Sequence, residues 1–163
     1  MTAHTYAPPR TSTTRAVPDE VAGYLDGTNL LAKTQAVRLS TVAEAGWPSA
    51  ALLSAGDMLV VPPDRIRFLL FPESTTTANL ARDDRLTLAL ALDGGMCELR
   101  LHARRLPDPA GVPLALFEAV VETTRVHVAP YAAVTGGITF ALHDPAAVFP
   151  RWERQIAALR AAG

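Results

Sequence analysis

Residues 68–92 restrict the possible folds of this chain more than any other stretch. They read F-L-L-F-P-E-S-T-T-T-A-N-L-A-R-D-D-R-L-T-L-A-L-A-L. An apolar run ends at Pro72, and Ser74 is suited to cap a helix because its hydroxyl can accept from a free backbone N–H. From Leu86 onward leucines alternate with threonine or alanine, which is the periodicity of a strand. The stretch therefore predicts a strand, a tight turn, one short helix and a second strand.

Threonines follow Ser74 at the start of this predicted helix. The first backbone N–H groups of a helix point outward without a carbonyl partner, and such a terminus attracts anions, phosphate above all. We therefore interpret the start of the helix as a candidate phosphate site. Its hydroxyl groups would come from Ser74, Thr75, Thr76 and Thr77.

The rest of the chain has a mainly β pattern. Further strands are predicted at residues 36–42, 49–55, 56–61, 65–71, 96–106 and 138–142, of which 56–61 is either a short strand or a bulge. Helices are predicted at residues 18–33 and 114–126, and a C-terminal helix begins at residues 144–145. This order suits one closed antiparallel sheet with flanking helices better than alternating parallel units.

Composition limits the classes of protein to consider. Residues 1–17 are rich in Thr, Pro and Ala without periodicity, which predicts a flexible tail before a single domain, residues 18–163. The net charge of -1 gives no indication of nucleic-acid binding. No membrane-spanning run and no signal peptide are recognisable. A single cysteine, Cys97, excludes an internal disulfide and a Cys-based zinc site, and favours a reducing cytoplasm.

The predicted strand at residues 96–106 has one polar face, because alternate side chains of a strand point the same way. The side chains on that face are Glu98, Arg100, His102 and Arg104. The face is either solvated or directed at a ligand. In the second case Arg100 would bind a phosphate or carboxylate with two hydrogen bonds. The histidines of the chain are too scattered to predict a metal cluster, and no residue stands out as a general acid or base.

Two motifs resemble the flavin-binding split-barrel family related to pyridoxamine 5'-phosphate oxidase. Residues 68–80, F-L-L-F-P-E-S-T-T-T-A-N-L, are similar to the family pattern F-Y-T-N-x-x-S-R-K-x-x-x-L, without gaps. Residues 41–48, T-V-A-E-A-G-W-P, match its hairpin T-V-x-x-x-G-x-P. The Arg-Lys pair that grips the phosphate of flavin mononucleotide (FMN) in the family is replaced by Thr75 and Thr76. The resemblance therefore does not indicate the oxidase itself.

The resemblance implies a fold, a cofactor and an assembly. The expected fold is mainly β (α+β), a six-stranded antiparallel split β-barrel with flanking helices. The implied protein is an FMN-binding oxidoreductase with an unknown small-molecule substrate, and a homodimer with ligand sites at the subunit interface. With the phosphate residues and Arg100 included, the candidate FMN contacts are Ala51, Leu52, Leu53, Ser54, Leu69, Leu70, Ser74, Thr75, Thr76, Thr77 and Arg100.

Other ligands remain open on the same barrel. A non-enzymatic relative could bind haem, for which His102 or His127 would be the axial ligand, or another small anion. A reductase that uses a deazaflavin is a third possibility. A dimer that has lost its ligand is a fourth, because the hydroxyls of Thr75 and Thr76 bring no positive charge to the phosphate site.

Overall fold

The computed structural model describes residues 5–163, which form eight strands, three α-helices and one short 3-10 helix. The strands are β1 (Arg10–Ser12), β2 (Val37–Val42), β3 (Pro48–Leu53), β4 (Met58–Val61), β5 (Arg65–Leu70), β6 (Arg85–Leu92), β7 (Gly95–Arg105) and β8 (Ala115–His127). The α-helices are α1 (Asp19–Tyr24), α2 (Thr75–Arg82) and α3 (Pro145–Ala161), and the 3-10 helix is Leu30–Ala32.

All strands belong to one antiparallel sheet in the order β3-β2-β6-β7-β8-β5-β4, with β1 added beside β8. The long strand β8 is central and pairs with β7, β5 and β1. A register shift in β7 lies between Arg100 and Leu101, and such bulges increase the twist of a sheet. Inside, the rings of Phe68 and Phe117 stack with centroids 5.6 Å apart. The fold is a split β-barrel with flanking helices, with eight strands rather than the predicted six.

The central stretch folds as its pattern predicts. Ser74 is the N-cap of α2, and its Oγ accepts from the Thr77 N–H at 3.1 Å. The helix ends at Arg82, and the predicted strand that follows it is β6. The leucines at alternate positions of β6 point into the core, where Leu86, Leu88 and Leu90 are buried.

The predicted helix at residues 114–126 is wrong, because this segment forms strand β8. Its apolar residues do not follow one helical stripe, since side chains are buried on both faces from Ala115 to Ala119. A short apolar run buried on both sides has no diagnostic period, so helix and strand are hard to distinguish there. The β-branched residues from Val120 to Val126 are the signal that favoured a strand.

Two other predicted elements are shorter than expected. Residues 138–142 do not form a final strand and contribute only an isolated bridge between Thr139 and Gln35. The helix predicted at residues 18–33 ends at Tyr24, and Gly27 follows with a positive φ of 79°. A left-handed residue of this kind cannot continue a helix.

Of the predicted tail, residues 1–17, residues 1–4 lie outside the part that the structure describes. In the remainder, Arg10–Ser12 pairs with β8. Val17 is buried and donates its N–H to the carbonyl of Pro63 at 2.8 Å. The sequence of residues 10–12 has no strand periodicity, so this strand was not predicted. It forms because residues 124–126 of β8 extend beyond the part of β8 that pairs with β5 and leave an edge to pair with. The domain boundary at residue 18 stays a prediction.

Helix α3 is the predicted C-terminal helix, and it packs against the barrel. Asp144 caps it by accepting from the Ala147 N–H, and Trp152, Ile156 and Leu159 are buried. Gly56 permits the close packing of Trp152, because a Cβ at this position would overlap the indole ring. Among residues 5–163, no helix has the length and apolar character needed to cross a membrane.

Candidate functional site

A cavity of about 520 Å³ lies where β3, β5, α2 and α3 come together. This volume is within the usual range of small-molecule sites, about 300–1,000 Å³. Its apolar wall consists of Ala51, Leu52, Leu53, Leu69, Leu70, Phe71 and residues 111–114 of the loop between β7 and β8. Its polar wall consists of Asp57, Ser74, Thr76, Arg151, Arg154 and Gln155. The cavity therefore combines an apolar slot with a polar side that carries charge.

The start of α2 presents one uncommitted hydroxyl to this cavity. Ser74 is occupied as the helix cap, and the Thr77 hydroxyl donates to the Phe71 carbonyl at 2.7 Å. Thr76 is only 9% exposed and lines the cavity, yet within the described residues its hydroxyl makes no hydrogen bond. The N–H groups of the first helical residues also lack carbonyl partners. This end of the cavity therefore has free donors for an anion.

Helix α3 brings three polar side chains to the same cavity. Arg151, Arg154 and Gln155 lie on one helical face because their spacing is i, i+3 and i+4. The Gln155 amide donates to the Gly56 carbonyl at 2.9 Å and to Asp57 Oδ1 at 2.8 Å. The other Asp57 oxygen accepts from the backbone N–H and hydroxyl of Ser54. Asp57 is thus held within the protein and forms no ion pair with either arginine.

The predicted site residues fall into two groups. Those that line the cavity are Ala51, Leu52, Leu53, Leu69, Leu70, Ser74 and Thr76. Those that do not line it are Ser54, Thr75, Thr77 and Arg100. Ser54 instead bonds Asp57, and Thr75 is exposed at the helix start. The predicted role of Arg100 has no support in the geometry, because its guanidinium lies on the outer face of β7, 3.6 Å from Glu98.

The polar face of β7 is a network of surface pairs. His102 bridges Asp84 and Glu122 at 3.2 and 3.0 Å, and Arg104 donates to Glu118 at 2.8 Å. The hydrogen bonds with Glu122 and Asp84 raise the pKa of His102 above its usual value. These side chains bond one another at the protein surface, as expected for a solvated strand face. None of them lines the cavity.

The cavity itself has few groups for acid–base chemistry. Of the described residues that line it, Asp57, Arg151 and Arg154 are the titratable ones, and neither His102 nor His127 is among them. Cys97 is buried elsewhere, and burial, with the nearby charges of Glu20 and Glu98, raises the pKa of its thiol to about 11. Within residues 5–163 no group of His, Cys, Asp and Glu side chains is arranged to hold a metal ion.

Sequence reasoning missed the contribution of α3. Arg151, Arg154 and Gln155 are far from the recognised motifs in the chain, and only the packing of α3 brings them to the cavity. The available signal was weak: two arginines at i, i+3 on a helix whose neighbouring Trp152 is a buried anchor. Such spacing identifies a shared face but not what that face meets.

Comparisons with known proteins agree with this fold. Its architecture is similar to a pyridoxamine 5'-phosphate oxidase-like protein from Lactobacillus delbrueckii, with 18% identity and a TM-score of 0.55 over 70% of this chain and 97% of that chain. HupZ from group A Streptococcus is also similar, with 15% identity and a TM-score of 0.55 over 72% of this chain and 98% of that chain. These similarities show the split β-barrel fold that the sequence resemblance implied.

A relative at the sequence level identifies the family. The uncharacterised protein YclD from Bacillus subtilis is 31% identical over 145 residues, which cover 87% of this chain and 94% of YclD. The chain belongs to the family of YclD. No protein-family model matches the sequence.

Proposed function

We propose that the cavity binds FMN and that the protein is a flavin-dependent oxidoreductase. The observation that carries the proposal is the meeting of three segments at one cavity: the end of β3, the end of β5 and the start of α2. The sequence resemblance implied FMN contacts in these same segments. Their convergence supports a flavin site more strongly than either motif does alone.

The chemistry of the two walls suits the two ends of FMN. Leu52, Leu53, Leu69 and Leu70 supply apolar surface for a flat aromatic ring, and Thr76 places its hydroxyl near the free N–H groups of α2 for a phosphate. Bound FMN would supply the electron-transfer chemistry, and the chain would bind and orient it. This division of labour suits a cavity that offers Asp57 alone as an acid or base.

We also propose that the protein is a homodimer whose second subunit covers the open side of the cavity. Leu52 and Phe71 line the cavity but remain 52% and 67% exposed, and Trp47 is 75% exposed nearby in sequence. Large apolar side chains exposed around a cavity are typical of a surface that another molecule covers. A free, buried Cys97 is consistent with the proposed cytoplasmic setting. Light scattering on purified protein should give twice the mass of the 163-residue chain.

The test of the flavin proposal is an absorption spectrum of purified protein, followed by titration with FMN while flavin fluorescence is recorded. We expect saturable quenching at one FMN per subunit. Ala51→Phe should weaken binding at least tenfold by filling the cavity, whereas Ala45→Phe, in an exposed turn away from it, should not. A wild-type protein that leaves FMN fluorescence unchanged at high micromolar concentration would contradict the proposal.

A further inference from the structure

We propose that Arg151 and Arg154 of α3 form an anion clamp that holds the FMN phosphate against the start of α2. This inference rests on the proposed function, since the phosphate is that of FMN. The clamp would restore the positive charge that Thr75 and Thr76 lack. It would come from the C-terminal helix of the same chain, which lines the cavity together with α2.

The first observation is a hydroxyl near the start of α2 that is available to a ligand. Thr76 is a largely buried residue that lines the cavity, and its hydroxyl oxygen, which keeps some solvent access, has no hydrogen-bond partner in the described part of the chain. A hydroxyl with solvent access at a cavity wall is available to bond a ligand that enters the cavity. The hydroxyl can donate and the neighbouring backbone N–H groups are donors, so a phosphate oxygen suits both.

The second observation is an unbalanced charge on the same cavity. Arg151 and Arg154 both line it, and neither forms a hydrogen bond or an ion pair within residues 5–163. Asp57, the carboxylate that also lines the cavity, is already bonded by Ser54 and Gln155. The polar wall therefore carries two free guanidinium groups beside one committed carboxylate.

These arginines differ from many others in the molecule. Arg67 and Arg104 bond Glu118, Arg85 bonds Asp83, and Arg105 bonds Asp108. An arginine guanidinium presents planar paired donors that match two phosphate oxygens. Two such groups that line the same cavity as a helix N-terminus would add charge-assisted hydrogen bonds to a bound dianion.

The test compares FMN with riboflavin, which has the same ring and side chain but no phosphate. In wild-type protein FMN should bind more tightly. Arg151→Gln with Arg154→Gln should weaken FMN binding by roughly tenfold per arginine and leave riboflavin binding within twofold. Arg151→Lys with Arg154→Lys should lose less, because the charge remains. Both arginines are exposed, so the variants should keep the wild-type melting temperature.

The matched control is Arg10→Gln with Arg15→Gln, which removes the same charge from positions that do not line the cavity. It should leave the preference for FMN over riboflavin unchanged. If the α3 double variant also keeps this preference, or loses both ligands equally, the clamp is overturned while the flavin site stands.

A wild-type protein that binds neither flavin would contradict the proposed function, and the clamp is then tested with inorganic phosphate alone. Nuclear magnetic resonance of the full chain should show saturable shifts of the amide signals of residues 75–77, absent from the α3 double variant. Such shifts would support the anion clamp without FMN. Signals that do not move with phosphate would overturn it.

Discussion

Two groups of arginines in this molecule have opposite surroundings. In the first, Arg67 Nε lies 2.9 Å from Glu118 Oε2, Arg104 Nη2 lies 2.8 Å from Glu118 Oε1, and Arg67 Nη1 donates to the Leu159 carbonyl. Arg67 and Glu118 are 7% and 3% exposed. In the second group, Arg151 and Arg154 face the cavity without partners among the described residues.

Arginines that bond other residues stabilise the fold, whereas arginines without partners at a cavity are available to bind a ligand. A buried ion is tolerated only when partners compensate it, and Glu118 has partners on both oxygens. The Glu118 cluster also joins β5, β8 and α3, because Arg67 reaches the carbonyl of Leu159. Within residues 5–163, Arg151 and Arg154 bond no other group. Their contribution is therefore expected in ligand affinity rather than in stability.

The largest expected effect is on the Glu118 cluster. Glu118→Gln should lower the free energy of unfolding by about 3–5 kcal/mol, because it leaves Arg67 buried without its counter-charge. Glu122→Gln, the same change at an exposed position of β8, should cost under about 1 kcal/mol. Urea denaturation measures both. Equal losses in the two variants would contradict a structural role for the buried cluster.

The same carboxylate should contribute to acid unfolding. Burial alone would raise the pKa of Glu118, but hydrogen bonds from Arg104 and Arg67 bring it below its usual value. Because the folded-state pKa is the lower one, this stabilisation is present above the unfolded pKa of about 4.3 and is lost as pH falls through the folded pKa. Glu118→Gln should therefore reduce the acid dependence of stability in this range.

A smaller contrast distinguishes neighbouring threonines of α2. Thr77→Val should cost about 1 kcal/mol or more, since it removes the donor to the Phe71 carbonyl. Thr76→Val should change stability by less than about 0.5 kcal/mol, because its hydroxyl has no partner in the described structure. It should nevertheless weaken FMN binding. Thermal melts and FMN titrations of both variants provide the measurement, and a Thr76→Val protein with a clear loss of stability would contradict the comparison.

The sequence was informative where local pattern and burial agree. The capping residue Ser74, the alternation in β6 and the buried face of α3 all have signals within a few residues, and each was predicted correctly. Strand β8 was missed because its burial on both faces removes the period that identifies a strand. Strand β1 was missed because it pairs with β8, which is more than 100 residues away in the chain, and its own sequence has no strand periodicity.

The residues of the cavity also differ in how far they can be predicted from the sequence. Its apolar wall and the start of α2 lie in motifs that can be read along the chain, so Leu69, Leu70, Ser74 and Thr76 were identified. Arg151 and Arg154 reach the cavity only because Trp152 and Leu159 fix α3 against the barrel. Arg100 is the reverse case: its residue type suits an anion, but β7 places it away from the cavity, beside Glu98.

The smallest expected effect concerns His102, whose ring is hydrogen-bonded to Asp84 and Glu122 on the outer face. Its folded-state pKa is raised by Glu122 and Asp84, so its stabilisation is present below the unfolded pKa of about 6.5 and is lost as pH rises through the folded pKa. Because its side chain is 44% exposed, the contribution should be below about 1 kcal/mol. Nuclear magnetic resonance titration should show the raised pKa, and Glu122→Gln should lower it. His102→Gln should leave FMN affinity unchanged, since the ring is bonded away from the cavity; a changed affinity would mean that paired surface charge also contributes to the ligand site.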